Sequence, residues 1–438
     1  MAQNNNIIYG NTGIINTQNS CYMNSAIQAI SHLYPLTSYL FRNKNEIIQT
    51  LIKNSNKIFK NNDMFSLEIN NLIPIDLKKK IHDPNYDSIT LTQEEIIIIL
   101  NNSMTYQLIR LLEGMWTKNC TIKPTSFKRI FSRIRNKFFV DFVENDAEEA
   151  YSSIIQQVQE ELSENKEIKF ETKKSVKDFL SFIKIINDKY KSTNDPVEKE
   201  KYKKEYSRIK QIMKNESLIV KSYKTIEKYY KNNYSKITEI FLGFIQSSLS
   251  CPNEKCKYSS NTFEPFLHLS LPIPQNICNP GKHITIYDCI DEFCKTEILD
   301  EKNLWSCDGC KDKVKGIKKI YIWEIPMILV IQIKRFNKSY NRTMKDSRCI
   351  MYPMDDLDVS NIISPIQYDT NKCYKYSLQC VINHYGELTG GHYFTYCKDE
   401  NSKRWFSFND DLIMEINPMS VVTPNAYMLF YIKSDMIN

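Results

Sequence analysis

Gly13-Ile14-Ile15-Asn16-Thr17-Gln18-Asn19-Ser20-Cys21-Tyr22-Met23-Asn24-Ser25 decides how the rest of the chain is read. Gly13 and the polar run 16–20 favour neither a strand nor a helix interior. After Cys21, the apolar residues Ala26, Ile27, Ile30 and Leu33 recur at three- and four-residue steps until Pro35. The pattern predicts a loop that feeds a helix, with Cys21 at the helix N-terminus. Unpaired backbone N–H groups there favour a thiolate, the form of sulfur that attacks a carbonyl. Asn16 stands five residues upstream. A loop folded over the helix start would aim its amide and the Cys21 N–H at one point, as an oxyanion hole requires. The plainer readings are a buried structural cysteine and a turn asparagine.

The 438 residues suffice for one large or two ordinary domains with a substantial core, and 42% hydrophobic with 25% charged residues fits a soluble globular chain. No apolar run has the length of a membrane span; residues 320–333 are interrupted by Glu324, Pro326 and Gln332. Residues 1–6 are polar and lack a basic-then-apolar signal. The 13 cysteines are odd in number and scattered. That usage points to thiols and metal ligands in a reducing compartment, cytoplasm or nucleus, and the lack of a spanning run leads us to expect no membrane partner.

Residues 36–145 carry helical periods, at 93–100, 104–116 and 127–134. Residues 144–151, Glu-Asn-Asp-Ala-Glu-Glu-Ala-Tyr, open another helix with acids in its first turn, which suits the helix dipole and offers a face to a basic partner. Residues 164–236 then hold 20 Lys+Arg and 11 Asp+Glu, so the formal charge of +7 belongs to this one segment. Val176, Phe179, Leu180, Ile183 and Ile186 keep a helical period, and Asp195-Pro196 with Glu198 reads as the start of a second helix through Met213. A solvated helical hairpin is expected at 164–236. A lysine-rich surface insertion without a partner is favoured over a nucleic-acid or anionic-lipid binder.

From residue 237 the chain reads as strands. Cys251 and Cys256, then Cys307 and Cys310, make two close pairs, which suit a tetrahedral thiolate zinc site at the tips of two β-hairpins. Cys278, Cys289 and Cys294 compete nearby. Residues 325–336 form a buried strand ending in Lys334-Arg335-Phe336, and 376–383 alternate into His384. Gly390-Gly391-His392-Tyr393 opens the next strand with His392 at a hairpin mouth, and its glycines allow a substrate backbone close approach. A further hairpin carries Phe408-Asn409-Asp410-Asp411. An early cysteine at a helix start, a late histidine and an Asn one hairpin on follow the order of a thiol protease. His384 is the rival of His392; His268 is expected in strand core. Strand alternation puts Asp410 on the face opposite Asn409. Asn409, Asp410 and Asp411 could each face His392; an amide or carboxylate oxygen there would accept its Nδ1–H and leave Nε2 for the thiol.

These motifs resemble the ubiquitin-specific protease family of deubiquitinating cysteine proteases. Its cysteine box, Gly-Leu-x-Asn-x-Gly-Asn-Thr-Cys-Tyr/Phe-Met-Asn-Ser, matches residues 13–25 except at Ile14, Gln18 and Ser20. Its Gln-Gln-Asp-Ala-His-Glu-Phe block corresponds to 144–150, with Asp146, Ala147 and Glu149 kept and Glu148 and Ala150 changed. The paired cysteines, the strand ending in Lys-Arg-Phe and the segments around His384 and His392 follow in family order. The likeness runs from about residue 8 to 433, apart from the insertion.

The resemblance implies an α+β, papain-like hand: a helical thumb at about 8–163, then zinc-tipped β fingers and an antiparallel β palm at about 237–433. It implies Cys21 as nucleophile, His392 as base, Asn409 as third member and Asn16 as oxyanion donor. Asp410 is a second polar group at the site, holding a water or the Asn16 amide. Asp146 would contact the ubiquitin tail, with Glu149, Gly391 and Tyr393 as further substrate-binding positions, and Cys251, Cys256, Cys307 and Cys310 would hold structural zinc. The expected activity is hydrolysis of the isopeptide or peptide bond at ubiquitin's C-terminal glycine, by a monomer that does not act on nucleic acid. A ubiquitin-binding scaffold and a protease for a ubiquitin-like modifier are the alternatives.

Overall fold

The computed structural model describes residues 10–60, 73–83, 90–134, 145–275, 283–339, 342–387 and 390–436. Glu144 and Cys278, singled out above, lie outside these residues. Among the described residues no helix is long and apolar enough to cross a membrane.

The helix expected after the opening loop runs Cys21–Ser31 and is buried along its whole length. That is possible because its polar residues find internal partners. Gln28 donates to the Thr12 carbonyl at 2.8 Å, and the Ser31 hydroxyl accepts from the Trp116 indole at 2.9 Å. Helices Met104–Thr117 and Ala147–Glu161 pack beside it with a shared apolar core that includes Ile27, Leu108, Ile154 and Phe430. Glu161 is fully buried, and its carboxylate accepts from the Met104 and Thr105 amides at 2.9 Å each. It thereby fills the N-terminal hydrogen-bonding need of the 104–117 helix.

The second half is a sheet. Its strands lie in the order Leu412–Ile416, Trp405–Asn409, Gly391–Lys398, Lys375–Gly386, Ala426–Lys433, Ile328–Lys334 and Leu269–Pro272, with Leu357–Asp358 paired beside Lys375–Gly386. All these pairings are antiparallel except the last in the row, where Ile331 faces Leu269 in a parallel ladder. The Cys21 helix lies against the Gly391–Lys398 strand, where the Thr395 hydroxyl donates to the Ser25 carbonyl at 3.0 Å. A separate sheet orders Ser259–Phe266, Gly243–Ser250, Ile317–Glu324 and Glu297–Ile298, and its far end carries the cysteine pairs.

The basic segment is not a hairpin. It forms three helices, Lys174–Ser192, Pro196–Ile212 and Lys214–Asn233. The second buries no residue, as expected for a solvated helix. The third was obscured by its lysines, but Ile226 packs with Leu242, Phe244, Phe263 and Trp323 at the base of the finger sheet. Glu164 and Tyr234 meet in a β-bridge, so the segment leaves and returns at one place.

Candidate active site and cysteine cluster

The loop before Cys21 is shaped by contacts to a turn almost 400 positions later in the chain. Strand Trp405–Asn409 ends at Asn409, and Asn409 pairs with Leu412 across the two-residue turn Asp410–Asp411. Asp410 has φ 52°. Strand alternation therefore does not extend to Asp410, and the expectation that it faces away from Asn409 fails. Its carboxylate accepts from Asn16 Nδ2 at 2.9 Å and from Asn24 Nδ2 at 2.8 Å, while its carbonyl accepts from the Ile14 amide at 2.9 Å. A Cβ at Gly13 would stand 2.5 Å from the Asp411 carbonyl oxygen, so only glycine lets the turn approach this closely.

Asn16 also organises its own loop. Its Oδ1 accepts from the Ser20 amide at 2.9 Å, and the Ser20 hydroxyl accepts from the Thr17 amide at 2.9 Å. Between them Gln18 and Asn19 sit at φ 59° and 58°. Gln18 thus holds a left-handed conformation at the position where the resembled box has glycine, at a cost of roughly 1 kcal/mol. Lys128 braces it, donating to the Thr17 carbonyl at 2.7 Å. Cys21 is the first residue of its helix, as the sequence suggested.

His392 opens its strand as expected. Its Nε2 meets Asn409 Oδ1 at 2.6 Å and lies 3.9 Å from an Asp410 carboxylate oxygen. The assignment of ring nitrogens made from sequence is therefore reversed. Nε2 faces the neighbouring strand, which leaves Nδ1 for the sulfur. The hydrogen bond with Cys21 is the main cause that raises the His392 pKa to about 9; burial opposes it, and Asn409 and Asp410 add to it. A ring held cationic at neutral pH is the partner a thiolate nucleophile needs.

His384 is no rival. It is buried, with its ring 4.6 Å from that of Tyr393 and 5.4 Å from that of Phe336. A Cβ at Gly391 would stand 2.1 Å from His384 Nε2, so that glycine is required by internal packing. Tyr393 is also buried, between His384 and Tyr427.

Asp146 caps the Ala147–Glu161 helix through the Glu148 amide at 2.7 Å and accepts from the Tyr427 hydroxyl at 2.6 Å. Burial raises its carboxyl above the usual range against both bonds. Glu149 is exposed in the same first turn, and burial followed by the Asp146 and Glu148 charges raises it. Sequence reasoning missed the pairing of Glu148 with His268, at 3.4 Å. His268 lies ahead of strand Leu269–Pro272, not within it, and burial lowers its pKa. It also missed Asn24 and Lys128, whose partners are distant in the chain. Asn24 shares its helix with other buried polar residues, Ser25, Gln28 and Ser31, so its residue type alone did not mark it out.

The four finger cysteines converge. Their sulfurs all lie within 4.8 Å of one another, with Cys256 and Cys307 3.6 Å apart and Cys251 and Cys310 3.9 Å apart. Tetrahedral thiolates at about 2.3 Å from a zinc ion stand about 3.8 Å apart, so the spacing fits a metal ion. The longer first loop reaches the same geometry as the second: Lys257 and Lys311, each following the second cysteine of its pair, have φ 49° and 64°. A Cβ at Gly309 would stand 2.6 Å from Cys256 Sγ. The described cysteines are all free of disulfides.

This arrangement is that of a papain-like cysteine hydrolase, and the chain belongs to the ubiquitin carboxyl-terminal hydrolase family, whose model matches residues 12–431. It is 47% identical over 430 residues to the probable ubiquitin carboxyl-terminal hydrolase R319 of Acanthamoeba polyphaga mimivirus, covering 98% of this chain and 91% of that protein. It is 37% identical over 204 residues to human ubiquitin carboxyl-terminal hydrolase 2, covering 47% of this chain and 32% of that protein. Its fold is similar to that in the SAGA Ubp8/Sgf11/Sus1/Sgf73 DUB module bound to ubiquitin aldehyde, with a TM-score of 0.59 at 20% identity over 99% of this chain and 71% of that one.

His392 is expected to keep its proton until pH rises to about 9, so the stability its raised pKa confers is complete below 6.5 and lost between those values. Histidine-selective NMR titration reads this directly. Cys21→Ala removes the main cause and is expected to bring the midpoint down toward 6.5; a midpoint that stays near 9 contradicts the contact.

Proposed function

We propose that Cys21 hydrolyses the bond after ubiquitin's C-terminal glycine, releasing it from lysine side chains or peptide amines. The observation that carries this is the His392 ring held between Cys21 and Asn409. The thiolate attacks the glycine carbonyl carbon. Charge gathers on the carbonyl oxygen, where the Cys21 amide and the second Asn16 Nδ2 hydrogen receive it; the first is committed to Asp410. His392 Nδ1 gives its proton to the departing amine, which leaves a thioester on Cys21. His392 then takes a proton from water, the hydroxide attacks the thioester, and thiolate and ubiquitin carboxylate separate. Asn409 keeps the ring oriented throughout.

Two findings support ubiquitin as substrate: the family assignment, and the related DUB module, which has been seen bound to monoubiquitin. Asp146 and Glu149 present carboxylates to the incoming tail, and Gly391 and Tyr393 flank His392 within its strand beside it. We assign zinc to the four cysteines as a structural ion that ties the finger hairpins and takes no part in the chemical step. Free cysteines and thiolate chemistry fit a reducing compartment.

A ubiquitin C-terminal fluorogenic substrate tests the activity. Wild-type protein is expected to turn it over, Cys21→Ala to abolish turnover while still binding ubiquitin, and Asn409→Ala to lower kcat by about 10–10³-fold, since the imidazole remains but is unoriented. Near-normal turnover by Asn409→Ala would show that Asn409 does not orient the ring. Elemental analysis of protein purified without chelator is expected to find one zinc per chain, and chelation to lower the melting temperature, because structural zinc contributes folding energy. Protein that lacks metal and melts unchanged with chelator contradicts the assignment.

A further inference from the structure

The nucleophile is flanked by walls of opposite charge. Asp146, Glu148 and Glu149 stand on one side, and Asp146 is held there by Tyr427 of strand Ala426–Lys433. That strand is two places from the His392 strand in the sheet, about 10 Å at ordinary strand spacing. On the other side of His392 come the Asn409 strand and its turn, where the loop at 16–20 rests on Asp410. Beyond that loop opens a cleft of about 680 Å³. Thr17 and Gln18 form one wall, and the cations Lys123, Lys128, Arg129 and Arg133 form the other. Two hydroxyl-bearing residues complete the lining, which contains no carboxylate.

The cations divide by role. Lys128 lies against the loop, bonded to the Thr17 carbonyl and 3.4 Å from Gln18 Oε1. Lys123 and Arg129 are exposed and meet no carboxylate among the described residues. Arg129 lies on the helix Thr125–Ile134 and Lys123 just ahead of it; the helix's apolar residues Phe127, Ile130 and Phe131 are buried, so it holds its basic face to the cleft.

We propose that this cleft is an acceptor subsite that docks a carboxylate-rich segment of the modified protein next to its conjugated lysine. The proposal rests on the hydrolase reading above, in which ubiquitin's tail enters along the acidic wall. The departing amine must then leave on the far side of Cys21, across the loop at 16–20 and toward the basic wall. Carboxylates of the acceptor meet Lys123 and Arg129 there, where Arg can bind them bidentately. Exposed pairs of this kind steer encounter and weaken with salt.

The test compares three substrates: ubiquitin carrying a C-terminal fluorophore, ubiquitin joined by an isopeptide bond to an Asp/Glu-rich peptide, and the same conjugate with those acids replaced by Asn/Gln. Wild-type protein is expected to prefer the acidic conjugate by about tenfold in kcat/KM at low salt, the effect of two exposed charge pairs, with the preference shrinking as salt rises. Lys123→Gln with Arg129→Gln, and separately Lys123→Glu with Arg129→Glu, should erase or invert the preference and leave fluorophore turnover within about twofold. Equal rates on both conjugates in wild type, or a preference that survives in both variants, overturns the subsite. Loss of fluorophore turnover in both variants also overturns it, by showing that these cations serve the catalytic loop. Absence of fluorophore turnover in wild type defeats the hydrolase reading itself and is distinct from all of these.

Discussion

Both halves of the molecule meet at the Asp410 carboxylate. One oxygen holds Asn24 of the Cys21 helix and the other holds Asn16 of the loop before it, while the backbone carbonyl of the same residue anchors Ile14. Hydrogen bonds to a charged group contribute about 1.5–3 kcal/mol each, and breaking them here would leave a largely shielded carboxylate short of two donors. The thiol lies in the helical half and the imidazole in the sheet, so their separation depends on this junction. Gly13 is part of the same constraint, because any side chain there would lift the loop from the turn.

The junction explains how a loop with two successive left-handed residues remains in one shape. Gln18 and Asn19 are conformationally costly, and the surrounding contacts offset that cost: Asn16 to Ser20, Ser20 to Thr17 and Lys128 to Thr17. The Asn16 amide is therefore oriented before substrate arrives. Preorganised donors of this kind need no rearrangement as charge develops. The same logic applies at the fingers, where two cysteine loops of different length converge on one spacing.

Much of this was legible in the sequence because it is local. A polar loop followed by a helical period places Cys21 at a helix start, glycines before an alternating run place His392 at a hairpin mouth, and close cysteine pairs announce knuckles. What stayed hidden depends on partners far along the chain. Asp410 looked like a strand residue pointing away from Asn409, and only the pairing of Asn409 with Leu412 reveals a turn. The ring nitrogen that meets Asn409 depends on which side of the His392 strand its neighbour lies. The third helix of the basic segment was masked by lysines, since its few buried residues face a sheet whose position the sequence does not state.

The central claim is that Cys21, activated by His392, attacks the carbonyl at ubiquitin's C-terminus. Ubiquitin bearing a C-terminal electrophile tests it most directly, with intact mass to detect the adduct and peptide mapping to place it. The account predicts one covalent ubiquitin per chain, mapped to Cys21 and absent in Cys21→Ala. No adduct with folded protein, or an adduct on another cysteine with Cys21 unmodified, would contradict it.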